Sequence, residues 1–234
     1  MDKIIAALLL SVGMVLSGFF ISETLYKSNV SLNTADVKGL AERRVRADLA
    51  YWSIQYTVTG NSQADIANLY VQSEANQSSI ISLLAQAGFN TDEIKPGVIN
   101  YSKTEYRNED QKLVDEKHFL TGEIEVETDK VSLVALARTK LNKLVAEGLD
   151  IRNNAPAYYF TKLNDIKSEM LKEATSNAKI AANEFASIAG VKVGGIRSAK
   201  QGGFMIRDVG ENYGDTQKIE KDVRVVTTVT FFLQ

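Results

Sequence analysis

Residues 4–21 read IIAALLLSVGMVLSGFFI, eighteen positions without a charge and with nothing more polar than Ser11 and Ser17. At 1.5 Å per residue a helix over this run is about 27 Å long, close to the ~30 Å hydrocarbon core of a bilayer. The run therefore reads as a single membrane-spanning helix. The competing reading is a cleaved secretory signal, whose apolar part is usually ~7–15 residues and ends at a small-x-small site. Val15 and Ser17 offer such a site, but Gly18, Phe19, Phe20 and Ile21 carry the apolar run past it. An uncleaved anchor is the expectation, with lipid contact through residues 4–21, and cleavage is the alternative. A lipoprotein is excluded, since the chain contains no Cys.

Orientation is weakly encoded. Lys3 precedes the run, whereas Lys27, Lys38, Arg43, Arg44 and Arg46 follow it, so the positive-inside count does not favour a translocated C-terminus. A long following domain crosses regardless of its charge, and the absence of Cys suits an oxidising compartment. Residues 22–34 are polar and unpatterned and read as a tether of up to ~40 Å if extended. The body is expected over residues 35–234 as one domain.

Within the body, residues 37–45 and 49–59 are rich in β-branched and aromatic residues and flank Ala47-Asp48, an opening hairpin. Ser62 is placed to cap a helix over 63–87. Strands are expected at 94–106 and 113–127, the latter alternating Ile124 and Val126 with Glu123, Glu125 and Glu127. A second helix spans 130–147, with Asp129 as a candidate cap. An extended stretch over 149–160, interrupted by Pro156, leads to a long third helix over 163–189. Strands over 191–198 and 223–233 enclose a Gly-rich excursion.

All three body helices end on the same signal, as Ala87-Gly88-Phe89, Glu147-Gly148-Leu149 and Ala189-Gly190-Val191. A Gly there adopts the left-handed conformation that stops a helix, and the next apolar residue starts a strand. Hairpins mixed with helical crossovers indicate an α+β fold: a mixed β-sheet with about three helices packed on it, preceded by one transmembrane helix.

The chemistry available is narrow. One His and no Cys rule out multi-His and thiolate metal sites and Cys nucleophiles. With 27 Lys and Arg against 29 Asp and Glu there is no basic footprint for nucleic acid. His118 has no partner of metal-binding type and reads as structural or superficial. Asp208, Glu211 and Asp215 lack EF-hand spacing and read as solvated loop charges. Gly194-Gly195 and Gly202-Gly203 lack the Lys-Ser/Thr of a phosphate loop and read as hairpin glycines needing positive φ. Arg43, Arg44 and Arg46 read as solvent-facing or intersubunit pairing groups ahead of lipid ligands. Glu123, Glu125 and Glu127 form one wet face. Catalytic, cofactor-binding and metal-binding residues are all expected to be absent.

Two features bear on assembly. Ala174, Ala178, Ala181, Ala182, Ala186 and Ala189 permit close approach of the third helix to the sheet of its own domain, the expectation, or to another subunit, the alternative. The closing strand is apolar on both faces, with Val223, Val225, Val229, Phe231 and Leu233 on one and Val226 and Phe232 on the other. A central, doubly buried strand is expected, with intersubunit exposure as the alternative.

Several segments resemble the SIMPL-domain family of bacterial envelope proteins. VKGLAERRVRADLAYW (residues 37–52) is similar to its opening hairpin, in an anchored subgroup. Ala87-Gly88 with Asp92-Glu93-Ile94 resembles its first helix exit. YYFTKLNDIKSEMLKEAT (158–175) and AKIAANEFASIAGVKVG (178–194) resemble its last helix and that helix's exit, and IEKDVRVVTTVTF (219–231) its terminal strand. The family's usual Pro before Asp48 is missing, which touches turn geometry alone. The resemblance implies a periplasm-facing, oligomer-forming domain, with ring-like or stress-protective relatives, and supplies no catalytic residues. The expected function is a non-enzymatic inner-membrane protein whose periplasmic body assembles with copies of itself into a ring or shell. The alternative is a stress-related binding or chaperone-like module acting on an envelope protein or ligand.

Overall fold

Residues 2–30 and 33–234 are described by the computed structural model. The α+β class holds: among the described residues one N-terminal α-helix is followed by three in the body, but the strands form two sheets rather than one. Helix α1 (Asp2–Val30) includes a stretch, Ala7–Tyr26, that is long and apolar enough to cross a membrane, and none of it is buried by the rest of the chain. The helix continues through residues 22–30, expected above to be part of an extended tether. No Gly or Pro interrupts that stretch, and each residue added to an existing helix gains a hydrogen bond. The remainder of the expected tether includes Ser31 and Leu32, which lie outside the described residues.

The chain forms two compact units. The first comprises residues up to Arg43 together with Asn164–Met205 and Arg224–Gln234. In it, strand β10 (Glu220–Leu233) lies between β1 (Thr34–Arg46) and β8 (Val193–Gln201), antiparallel to β8. Helix α4 (Leu163–Ala189) buries Met170, Ala174, Ala178, Ala182 and Ala186, one residue per turn. Ala178 and Ala182 pack with Val37, Val229 and Phe231. The small side chains matter because α4 rides directly on the β1 backbone at Gly39. A Cβ built there would lie 1.8 Å from the Ala174 carbonyl oxygen and 2.4 Å from the Ala178 nitrogen.

The second unit comprises Arg44–Leu163 and Ile206–Val223. Its centre is the antiparallel pair β2 (Leu49–Gly60) and β5 (Leu113–Thr128), in unbroken register from Ala50↔Thr128 to Gly60↔His118. Strands β3 (Ile94–Pro96) and β4 (Asn100–Arg107) pair with β5, while β6 (Asp150–Asn153) and β7 (Ala157–Tyr159) pair with β2, all antiparallel. Alternation delivers Ala50, Trp52, Ile54 and Tyr56 to one face, where they join Ile80 and Leu84 of α2 (Ile66–Ala87) and Val134, Ala137 and Leu141 of α3 (Val131–Ala146). The other face is wet, as the glutamates of β5 predict: Tyr51 donates to Glu127, which also pairs with Lys95.

The expected strand over 94–106 is two strands. Pro96 pairs with Ile124 and Asn100 with Thr121, so Gly97, Val98 and Ile99 face only Gly122 and Glu123. The extra residue makes a bulge, which the Pro-Gly step accommodates because Pro supplies no ladder N–H. The excursion after β8 also contains a short strand, β9 (Met205–Asp208), paired with β10.

The helix stops are as the sequence indicates. Gly88, Gly148 and Gly190 have φ of 107°, 100° and 70°. Phe89, Leu149 and Val191 each donate back to the carbonyl five residues earlier, in Leu84, Leu144 and Ala186. Ser62 caps its helical turn by accepting from the Ala64 nitrogen. Helix α3 starts from Lys130 without a side-chain cap, so Asp129 does not cap it; in the turn just before the helix, Thr128 Oγ1 accepts from the Lys130 nitrogen.

Candidate functional surfaces

The β4–β5 hairpin outruns the helices that cover the sheet. Every residue of β4 is exposed, as are Leu113, Val114 and Asp115 at the start of β5, and the first buried position of β5 is His118. Tyr101, Tyr106, Leu113 and Val114 place apolar surface in solvent along this ribbon. A row of ion pairs runs along it: Lys103 and Arg107 both bind Glu105 at 2.7 Å, and Lys103 lies 3.9 Å from Glu116. The two cations hold the Glu105 carboxyl at about 2, through hydrogen bonds first from Lys103 and then from Arg107. His118 sits at the root of the ribbon. Its Nδ1 shares a 2.8 Å hydrogen bond with the Tyr101 hydroxyl, its Nε2 lies 3.2 Å from Glu116, and its ring stacks on Tyr101. With no exposed surface, the imidazole is a structural group, one of the two roles expected for it.

Asp208, Glu211 and Asp215 do not share one environment. Asp208 is buried, not a solvated loop charge: Lys221, also buried, donates to its Oδ1 and to the Asp215 carbonyl, while the Gln217 nitrogen donates to Oδ2 at 2.8 Å. Burial alone would raise the Asp208 carboxyl, and the bonds from Lys221, Gln217 and Lys218 outweigh it and hold the group below its ordinary value. The excursion is thus braced from inside. Glu211 stays at the surface, paired with Lys218 at 2.8 Å. Among the described residues no three His, Cys, Asp or Glu side chains are grouped to hold a metal.

The arginines of β1 each pair within the chain, and Arg44 and Arg46 remain largely exposed to solvent, as expected. Arg43 binds Glu169 at 2.8 Å, Arg44 binds Asp222 at 3.0 Å and Arg46 lies 3.3 Å from Glu220. Arg46 also borders a shallow depression of about 470 Å³ with Asp48, Lys130, Phe160 and Lys162. Each of its cations is engaged, Lys130 with Glu93 at 2.7 Å and Lys162 with Asp48 at 3.8 Å, so the depression does not present a free positive charge to an anion.

The glycines expected to need positive φ do not have it at 194, 195, 202 or 203; in the excursion, Gly210 and Gly214 do, at 79° and 91°. Gly202 is required by proximity instead, since a Cβ there would lie 2.6 Å from the Val226 carbonyl oxygen. Strand β10 is central, as expected, but only one face is closed: Val225, Val229 and Phe231 are buried, whereas Val226 and Phe232 are half-exposed. The alanines of α4 face their own unit, apart from the exposed Ala189.

No curated protein matches the chain. The sequence profile of the SIMPL family, described as proteins of unknown function (DUF541), matches residues 35–231, from the first strand to the closing one. That span covers the second unit and the part of the first that follows α1, and with them the glycine-stopped helices, the close approach at Gly39 and most of the terminal β-strand; the chain belongs to the SIMPL family.

Proposed function

We propose that this is a non-enzymatic, single-pass protein of the bacterial inner membrane whose periplasmic body assembles with copies of itself into a ring or shell. The supporting observation is the β4–β5 ribbon. A two-stranded hairpin has marginal stability in water unless something packs against it, and here neither strand buries a side chain before His118. Among the described residues strand β4 also leaves one edge unpaired, which favours augmentation by a further strand. A second copy of the same ribbon suits that edge. Residues 100–117 carry four basic and five acidic side chains, so two ribbons meet without strong net repulsion, and their tyrosines supply apolar contact. Assembly on several anchors would then hold a barely spanning helix in the bilayer by avidity.

The test is the mass of the full-length protein in mild detergent, alongside Tyr106→Asp/Val114→Asp, two changes at exposed positions. The expected result is a closed multimer for the parent and a smaller species for the variant with an unchanged circular dichroism spectrum. A parent that is monomeric at micromolar concentration overturns assembly and favours a binding module acting on another envelope protein.

A further inference from the structure

Within the first unit, the residues that follow α1 and the end of α4 reach the same end of the sheet. Asn33, three residues past α1, accepts a hydrogen bond from the Leu233 nitrogen at 2.9 Å. Gln234 and Lys192 exchange main-chain bonds of 2.9 and 2.7 Å, and the Val191 nitrogen closes α4 on Ala186. The last turn of α4 therefore lies at the end of the sheet from which the membrane helix departs.

That turn is apolar and uncovered. Ile188 is 89% exposed and Phe185 63%. Ile188 lies two residues beyond buried Ala186, about 200° around the helix, and so points away from the sheet that the alanine stripe covers. Exposure of this kind invites a partner. The covalent path selects the partner. From Tyr26, the end of the apolar stretch, four helical residues and three more lead to Asn33, at most ~17 Å at 1.5 and ~3.5 Å per residue. Apolar side chains of interfacial helices sit ~5–10 Å into the headgroup–acyl boundary, within reach of that leash. Lys192 is exposed beside the turn and suits anionic headgroups, while Glu184, one residue before Phe185, must stay in the hydrated layer and limits the depth.

We propose that the last turn of α4, through Phe185 and Ile188, enters the headgroup–acyl boundary of the bilayer that α1 spans, giving the body a second lipid contact beside its anchor. The contact rests on the reading of α1 as an anchor, and it fixes which end of the first unit faces the membrane.

The chain has no native Cys, so single nitroxide labels can be placed without background. Ser17→Cys, Ser176→Cys, Phe185→Cys and Ile188→Cys are labelled in the full-length protein and reconstituted into phosphatidylethanolamine–phosphatidylglycerol vesicles, with circular dichroism to confirm folding. Accessibility to oxygen is compared with accessibility to a water-soluble nickel chelate. The expected result is a deep signal at 17, a water signal at 176, and boundary depth at 185 and 188, with an oxygen-to-nickel ratio several-fold above that at 176. A deep signal at 17 with 188 as wet as 176 overturns the proposal and leaves the anchor standing. Label 188 shielded from both reagents and broadened by spin–spin coupling overturns it in favour of a second copy. Label 17 in water overturns the anchor itself, and the proposal with it.

Discussion

Tyr56 and Gly122 face each other across the β2–β5 ladder, and the ring of Tyr56 fills the space that a side chain at 122 would take. A Cβ on Gly122 would lie 2.2 Å from the Cζ and hydroxyl oxygen of Tyr56. Gly122→Ala is expected to destabilise the second unit by about 1–3 kcal/mol through overpacking. The buried Tyr56 hydroxyl faces Ser73 and Gln77 without a hydrogen bond of good geometry, so Tyr56→Phe is expected to be neutral or stabilising. Urea melts of both variants check the pair; a tolerant Gly122→Ala or a costly Tyr56→Phe contradicts this packing.

Gly39→Ala is expected to be worse than Gly122→Ala. The obstruction is main chain of α4, which cannot rotate aside as a side chain can, so the helix must lift off β1 and the alanine contacts open with it. A loss of about 3 kcal/mol or more is expected, at the upper end for overpacking. Thermal unfolding of the variant beside Gly13→Ala, where a Cβ meets nothing, provides the comparison.

Removing one member of the Asp208–Lys221 pair strands a buried charge, so Asp208→Ala is expected to cost about 3–5 kcal/mol, and Asp208→Leu/Lys221→Met to recover most of it. The pH dependence has a definite sign. The folded Asp208 pKa is depressed, so its contribution is complete above the ordinary Asp value of ~4 and is lost as pH falls through the lower folded value. Unfolding midpoints measured from pH 6 downwards should fall more steeply for the parent than for Asp208→Asn; parallel curves would refute the assignment.

Gly148→Ala isolates the cost of a left-handed helix stop. Its φ is 100° and a Cβ there has open space, so only backbone conformation is at stake. A destabilisation of about 1 kcal/mol is expected, without a change in helix content, from chemical denaturation followed by circular dichroism.

What was legible in the sequence is what period and turn chemistry encode. Gly88, Gly148 and Gly190 announced three helix ends because positive φ after an apolar helix has few other uses. Ile124 and Val126 between glutamates announced a half-wet strand. Long-range pairing was less visible. Lys221 stands in step with Val223 and Val225 on the buried face of β10, and that period was the one available sign that a lysine goes inside. Its partner Asp208 is thirteen residues away across an irregular excursion, and no local pattern links them. Gly202 and Gly39 resembled turn and strand glycines, whereas their requirement comes from backbone that approaches from Val226 and Ala174. The helical stretch over residues 22–30 was missed because its polar composition outweighed the propagation of the helix before it.

The bond between Leu233 and Asn33 brings the beginning and the finish of the folded body together. Whatever follows Gln234 in a fusion emerges beside Asn33, where the chain arrives from α1, whereas the 108–112 tip of the ribbon belongs to the second unit. The same closeness makes the body a candidate for circular permutation: a short linker could join the ends, and the chain could be reopened at that tip.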